Sequence, residues 1–389
     1  MNAEPFVVTI ADSVLTDLKA RLRNTRWPQI IGEDDWAYGV PQAWLRDMVD
    51  YWANDWDWQS IAAQMNAYSH YQASIDGLPI HFLHAPGKGP SPTPLLLSHG
   101  WPWTFWDYKD VIGPLTDPAA HGGDPADAFD VVVPSLPGFG FSTPLTRSGV
   151  DVAKIAELWV KLMQDVCGYN RFAAHGGDWG ALVTAHLGHA HADALLGAQL
   201  ALALIPGVDR GAIGPDEYAP DEQWMAARNA EALRLISSHI SVHTTDPQTL
   251  AYAAIDSPVG TAAWLWERRR NWSDCNGDVE TAFTREHLCT TAALYWCTGA
   301  FTSSLRLYYE HFNKPWPLAH DRMPVVEAPT GLVVFPKDVV HLPRSVVEKH
   351  TNLQHYAVMP RGGHFGAAEQ PELIVEQIRE CFRPLREHV

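Results

Sequence analysis

Apolar positions at the start of the chain recur at helical spacing: Val14, Leu15, Leu18 and Leu22 share one face, and a second helix follows the Asp55-Trp56-Asp57-Trp58 stretch. The segment from about residue 4 to 73 therefore reads as helical. From about Tyr71 the period shortens. Strand-like runs over 80–84, 95–98, 129–133 and 171–175 alternate with helical stretches over 152–167 and 181–191, which predicts a βαβ parallel sheet. A further strand is expected over 202–205. Between 206 and about 326 such runs stop, and a helix-rich block carries Trp224, Trp264, Trp266, Trp272, Trp296 and Trp316. Sheet-like runs resume over 331–335 and 356–359, ahead of a closing helix over 371–382. The pattern predicts an α/β fold in which one mostly parallel sheet is interrupted by a helical insertion lying over the strands' carboxyl ends, behind a fully helical N-terminal segment. Residues 1–90 would then wrap the core, 91–206 and 326–389 would form its two parts, and 207–325 a cap.

Composition narrows the function classes. A chain of 389 residues, 46% hydrophobic and 19% charged, can bury a large core and is no candidate for disorder. The 28 basic against 45 acidic residues leave a net charge of −17, which repels phosphate backbones and anionic lipid, so neither nucleic acid nor a membrane is an expected partner. Five cysteines, an odd set without a CxxC, signal neither a disulfide framework nor a zinc cluster. With no signal-like N-terminus and no apolar run longer than 195–208, a soluble cytoplasmic protein is expected.

The chemistry concentrates at Gly176-Gly177-Asp178-Trp179-Gly180, between a strand and a helix. Small residues two places before and after a nucleophile allow the strained turn of a nucleophile elbow, which exposes one side chain at the top of a sheet. Here that side chain is a carboxylate. An Asp nucleophile displaces a leaving group from saturated carbon and leaves an alkyl ester for water to cleave, so serine-type esterase chemistry recedes. His99-Gly100-Trp101-Pro102 ends an earlier strand, where α/β hydrolases place one oxyanion donor; the amides of Trp101 and Trp179 would converge on the ester carbonyl. Arg361-Gly362-Gly363-His364-Phe365 follows the last strand, so His364 comes after the nucleophile in α/β-hydrolase order, as the base that activates water. Asp338 is the natural acid to orient it, and Asp209, after the 202–205 strand, is a competitor. The triplet His186, His189 and His191 lacks a positioned set of carboxylates for a metal site, and Gly138-Phe139-Gly140 is no dinucleotide fingerprint. No cofactor or metal is expected.

These residues resemble the microsomal-type epoxide hydrolases, α/β-hydrolase enzymes with an extra N-terminal segment, over nearly the whole chain. The resemblance runs through Thr25-Arg26-Trp27-Pro28, the HGWP loop, Pro137-Gly138-Phe139-Gly140-Phe141-Ser142, the elbow, Asp256-Ser257-Pro258-Val259-Gly260, Tyr295-Trp296 and the RGGHF stretch. It implies Asp338 as the acid, standing where the family also uses Glu. It further implies a cap with two tyrosines that hold the epoxide oxygen. The second matches Tyr308, with Tyr309 one register away; the first is missing, and its place falls on His239. A neutral imidazole donates one hydrogen bond, and a pKa near 6.5 would make that donation pH-sensitive. The expected substrate is a small apolar epoxide, with water as co-substrate. A haloalkane dehalogenase or a non-catalytic binding protein on this scaffold are the rival readings, and the N-terminal segment would be the place for a homodimer contact.

Overall fold

The computed structural model describes residues 2–32 and 35–388. Among them, nine strands form one sheet: β1 (Ala3–Phe6), β2 (Ser69–Ile75), β3 (Leu78–Ala85), β4 (Thr93–Ser98), β5 (Phe129–Pro134), β6 (Phe172–Gly176), β7 (Leu195–Leu200), β8 (Val326–Val334) and β9 (Thr351–Val358), in the order β1-β2-β3-β5-β4-β6-β7-β8-β9. The first three pairings are antiparallel, and every pairing from β5/β4 to β8/β9 is parallel. All residues of β4, β6 and β7 are buried. Strands covered on both faces read as continuous apolar runs, and for that reason they are easy to find in the sequence.

Helices α1 (Asp12–Arg23), α2 (Gln42–Asn54) and α3 (Trp58–Met65) precede β2; α4 (Lys109–Thr116), α5 (Val152–Lys161) and α6 (Trp179–Ala190) lie between sheet strands. The insertion between β7 and β8 holds α7 (Gln223–Thr245), α8 (Pro247–Asp256), α9 (Pro258–Trp272), α10 (Arg285–Cys297) and α11 (Ala300–Phe312). The chain finishes with α12 (Arg344–His350), α13 (Gly366–Glu369) and α14 (Pro371–Phe382). The doubly wound sheet with its helical insertion is the α/β-hydrolase fold.

Two expectations fail for the same reason, which is that strands are defined by partners distant in sequence. The N-terminal segment is not fully helical: β1 pairs with β2 at the sheet edge, Ala3 opposite Ala73 and Phe6 opposite His70. Four residues, one of them Pro5, carry too little periodicity to be read, and Pro at an edge loses no ladder bond that matters. The Asn66 side chain then holds the chain beyond β1, accepting from the Val8 amide and donating to its carbonyl, both at 2.9 Å. Conversely, residues 202–205 are not a strand. β7 pairs with β8 only over Ala198–Leu200, and beyond Leu200 the Ala201 amide turns to the Gly176 carbonyl.

The N-terminal helices pack on the insertion as well as on the core. Trp44 and Trp52 of α2 each meet Trp266 of α9 with ring centroids 5.8 Å apart, and the Trp56 indole donates to Thr290 of α10. No helix among the described residues is long and apolar enough to cross a membrane.

Candidate active site

β4 and β6 end side by side, Ser98 opposite Gly176. From there the chain turns sharply into α6, and Asp178 takes φ 48° and ψ −127°, a region that a side-chain-bearing residue occupies only when its surroundings enforce it. They do so through glycine. A Cβ at Gly180 would overlap the Ser98 carbonyl, and one at Gly176 would overlap the Gly180 carbonyl. Gly100 lies so close to the Asp178 carboxylate that no side chain fits there either.

The carboxylate is held from both sides. The Trp101 amide donates to its Oδ1 at 2.6 Å, and the His364 Nε2 lies 3.2 Å from its Oδ2. On the other side of the ring, His364 Nδ1 is 2.7 Å from Asp338 Oδ1, which also accepts the Val339 amide at 2.6 Å. This assigns the Nδ1 proton to the Asp338 contact and turns Nε2 toward Asp178. Burial alone would pull the His364 pKa down. The Asp338 charge and hydrogen bonds to Asp178 and Asp338 outweigh it and push the value up to about 10. Asp209 plays no part here: it is exposed and accepts the Gly211 amide in its own turn. The amide of Trp179, at the start of α6, is not hydrogen-bonded to the Asp178 carboxylate.

Above these groups lies a cavity of about 70 Å³, lined by Asp178, His364, Tyr308, His239 and a largely aliphatic wall that includes Leu182, Ile236 and Val339. Of the two adjacent tyrosines, Tyr308 is buried and lines the cavity, whereas Tyr309 is 48% exposed and does not. Burial, followed by the Asp178 charge, holds the Tyr308 hydroxyl well above its usual pKa, so it keeps its proton. His239 lies flat on the Trp101 ring, 5.5 Å between centroids and 8° between planes, and equally far from Tyr308. Among the described residues its Nδ1 finds no hydrogen-bond partner within 3.5 Å. Burial first, then neighbouring His243 and Arg268, hold its pKa well below 6.5. The expected pH-sensitive donation is thereby corrected, because this imidazole stays neutral across the physiological range.

Several residues that shape the site are not evident from motifs. His243, one turn beyond His239 on α7, packs 4.8 Å from the Tyr308 ring and accepts the Trp264 indole proton on Nε2, which leaves the proton on an unpartnered Nδ1. Arg269, fully buried on α9, ion-pairs Asp107 at 2.7 Å and donates to the Pro102 carbonyl next to Trp101. The signals available were faint: three consecutive arginines on a Trp-rich helix, and Thr104-x-x-Asp107, which forms a capping box. Glu369, half-buried on α13, accepts the amides of Asp274, Gly363 and Phe365 at 2.7, 3.0 and 2.8 Å. Burial pushes its carboxyl up to about 7 against the pull of those amides. His186 Nδ1 accepts the Trp316 indole proton, both His189 nitrogens are engaged by Val325 and Ala319, and no metal-binding group of three or more His, Cys, Asp or Glu occurs among the described residues.

Comparison with known proteins places this geometry in context. Residues 3–108 match the model described as epoxide hydrolase N terminus, and residues 95–377 match the alpha/beta hydrolase family. Epoxide hydrolase 1 of Oryctolagus cuniculus is 33% identical over 97% of this chain and 88% of its own length. A Stigmatella aurantiaca protein provisionally named an epoxide hydrolase is 41% identical over 98% of this chain and 85% of its own. The structure of an Aspergillus niger epoxide hydrolase superposes with a TM-score of 0.86 at 26% identity, covering 99% of this chain and 97% of that one.

Proposed function

The chain belongs to the epoxide hydrolase family of α/β hydrolases, and from that premise we propose that it hydrolyses apolar epoxides to vicinal diols through a covalent ester on Asp178. The observation that carries this reading is the fixing of one carboxylate between the Trp101 amide and a histidine backed by Asp338, beneath a buried tyrosine. We assign residues 207–325 as the cap of this site and 1–90 as the segment that supports it.

In the first step an Asp178 oxygen attacks a ring carbon. The ring C–O bond breaks, and its electron pair goes to the epoxide oxygen, which takes the Tyr308 proton while His239 contributes a second hydrogen bond. The resting imidazolium of His364 owes part of its high pKa to Asp178. Esterification removes that charge, so the His364 proton becomes free to return to the tyrosinate, and a neutral imidazole appears at the moment a base is needed. In the second step His364 Nε2 takes a proton from water as the new oxygen adds to the ester carbon. The Trp101 amide, joined by Trp179, stabilises the oxyanion; such donors are worth about 3 kcal/mol each. Collapse breaks the bond from the ester carbon to the substrate oxygen, the departing alkoxide takes the remaining proton of the added hydroxyl to give the diol, and the Asp178 carboxylate is restored beside the imidazolium, which closes the proton count.

The test is the intact mass of His364→Ala after incubation with aryl and alkyl epoxides and, separately, haloalkanes. An increment equal to the whole epoxide, mapped to the peptide containing Asp178, is the expected result. An adduct from haloalkanes alone, lighter by the lost acid, or no adduct at all, would sink the proposal.

A further inference from the structure

The cavity over Asp178 carries its catalytic candidates at one end, and among its other lining residues, which are mostly apolar, stands one arginine. Arg210 opens the short helical turn Arg210–Ala212, ten residues past the end of β7, and lines the cavity. It also lines a second cavity of about 380 Å³ whose walls include Ile213, Tyr218, Leu233 and Leu342. Arg210 is thus a wall residue common to the two spaces. The mouth of the first is marked by Phe312, 48% exposed, and by Arg210 itself, which is open to solvent on its outer side.

Among the described residues Arg210 has no hydrogen-bond, ion-pair or ring partner. The adjacent acid, Asp209, is spent on the Gly211 amide, and Tyr218 gives its hydroxyl proton to the His341 carbonyl. Most other arginines of the chain are engaged: Arg228 with Glu231, Arg268 with Glu267, Arg269 with Asp107, Arg285 with Glu280 and Asp47. Crowding on its inner side is enough for burial to lower the Arg210 pKa. A partly dehydrated guanidinium without a counter-charge is poised to gain from an incoming anion, and its planar fork matches a carboxylate. The chain as a whole carries a net charge of −17, which disfavours anions unless a local cation offsets it.

We propose that Arg210 is a specificity-determining residue that selects epoxides carrying a carboxylate at the far end of an apolar chain, with the epoxide at Asp178 and the carboxylate between the two cavities. This rests on the epoxide hydrolase reading above and names its substrate class. The apolar wall would hold the chain, and the second cavity would accommodate whatever extends past the carboxylate.

A series of ω-epoxyalkanoic acids of increasing length, each paired with its methyl ester, tests the idea. The readout is the acid-to-ester ratio of kcat/KM, so that a general change in activity cancels. In the unmodified enzyme the ratio should exceed one by about tenfold at the best chain length, expressed in KM. It should fall to about one in Arg210→Gln, survive in part in Arg210→Lys, and drop below one in Arg210→Glu. A ratio at or below one in the unmodified enzyme, or the same ratio in Arg210→Gln, overturns the proposal. Binding gives a measure independent of turnover: the saturated alkanoic acid should raise Tm of the unmodified enzyme and not that of Arg210→Gln, and equal shifts would likewise overturn it. Failure of every epoxide to react, acid or ester, would instead count against the reaction assigned to Asp178.

Discussion

At the scale of single residues, burial and charge set the resting proton inventory on which the proposed mechanism draws. Tyr308 is held protonated by burial and by the Asp178 charge, and His239 is held neutral. Replacing Tyr308 with Phe should slow single-turnover alkylation on the order of 10²-fold with little change in substrate binding, measured by rapid quench of the Asp178 ester. Since His239 does not titrate near neutrality, the alkylation rate should show no ionisation near pH 6.5; a bell with a limb there would assign His239 a charge the structure denies it. His364 behaves oppositely. Its folded pKa of about 10 lies above the ordinary 6.5, so it contributes stability that is complete below pH 6.5 and lost as pH rises through about 10. Tm should therefore decline over that window, and the decline should shrink in Asp338→Asn, in which NMR titration of the ring should show the pKa moved down. The motif residues Asp178, Trp101 and His364 were legible in the sequence because turns and nucleophiles leave local marks. His243, Arg210 and Glu369 were not, because what each does depends on which distant residues surround it.

Among elements, the turn from β6 into α6 is the most constrained. Gly180→Ala forces a methyl group into the Ser98 carbonyl and should leave little folded protein, whereas substitution at Gly122, whose position is open, is a matter of φ alone. The element that positions the base is less obvious. The carbonyl of Trp272, the last residue of α9, accepts the His364 amide at 2.8 Å; Asp274 accepts the Gly362 amide, and Glu369 gathers the Asp274, Gly363 and Phe365 amides. Glu369→Gln leaves at least one of these buried amides without an acceptor, at a cost of about 1–3 kcal/mol. It should slow ester hydrolysis, which needs His364, more than alkylation, and comparison of the two single-turnover rates checks this. On the opposite side, Arg269→Ala strands Asp107 without its cation and should cost about 3–5 kcal/mol in denaturant unfolding. The parallel strands were readable because burial on both faces makes them uniformly apolar. β1 was not, since a four-residue edge strand exists only by virtue of β2, sixty-odd residues away.

For the whole molecule, the N-terminal helices, the insertion and the sheet share one apolar core. Removing the residues before β2 would bare Trp266 and free Thr290 of its indole partner, so such a truncation should be recovered as aggregate, as light scattering would report. The contacts that join α9 to the histidine loop have a further meaning for how such enzymes diversify. Among modular proteins, a lid can be traded between relatives while the machinery below stays untouched. Here the proposed base takes a backbone partner, the Trp272 carbonyl, from the inserted helices themselves, so the two are expected to change together. A chimera spliced at the ends of β7 and β8 would import a foreign carbonyl for the His364 amide to find, and new specificities in this lineage should arise by point changes along the cavity wall rather than by exchange of whole lids.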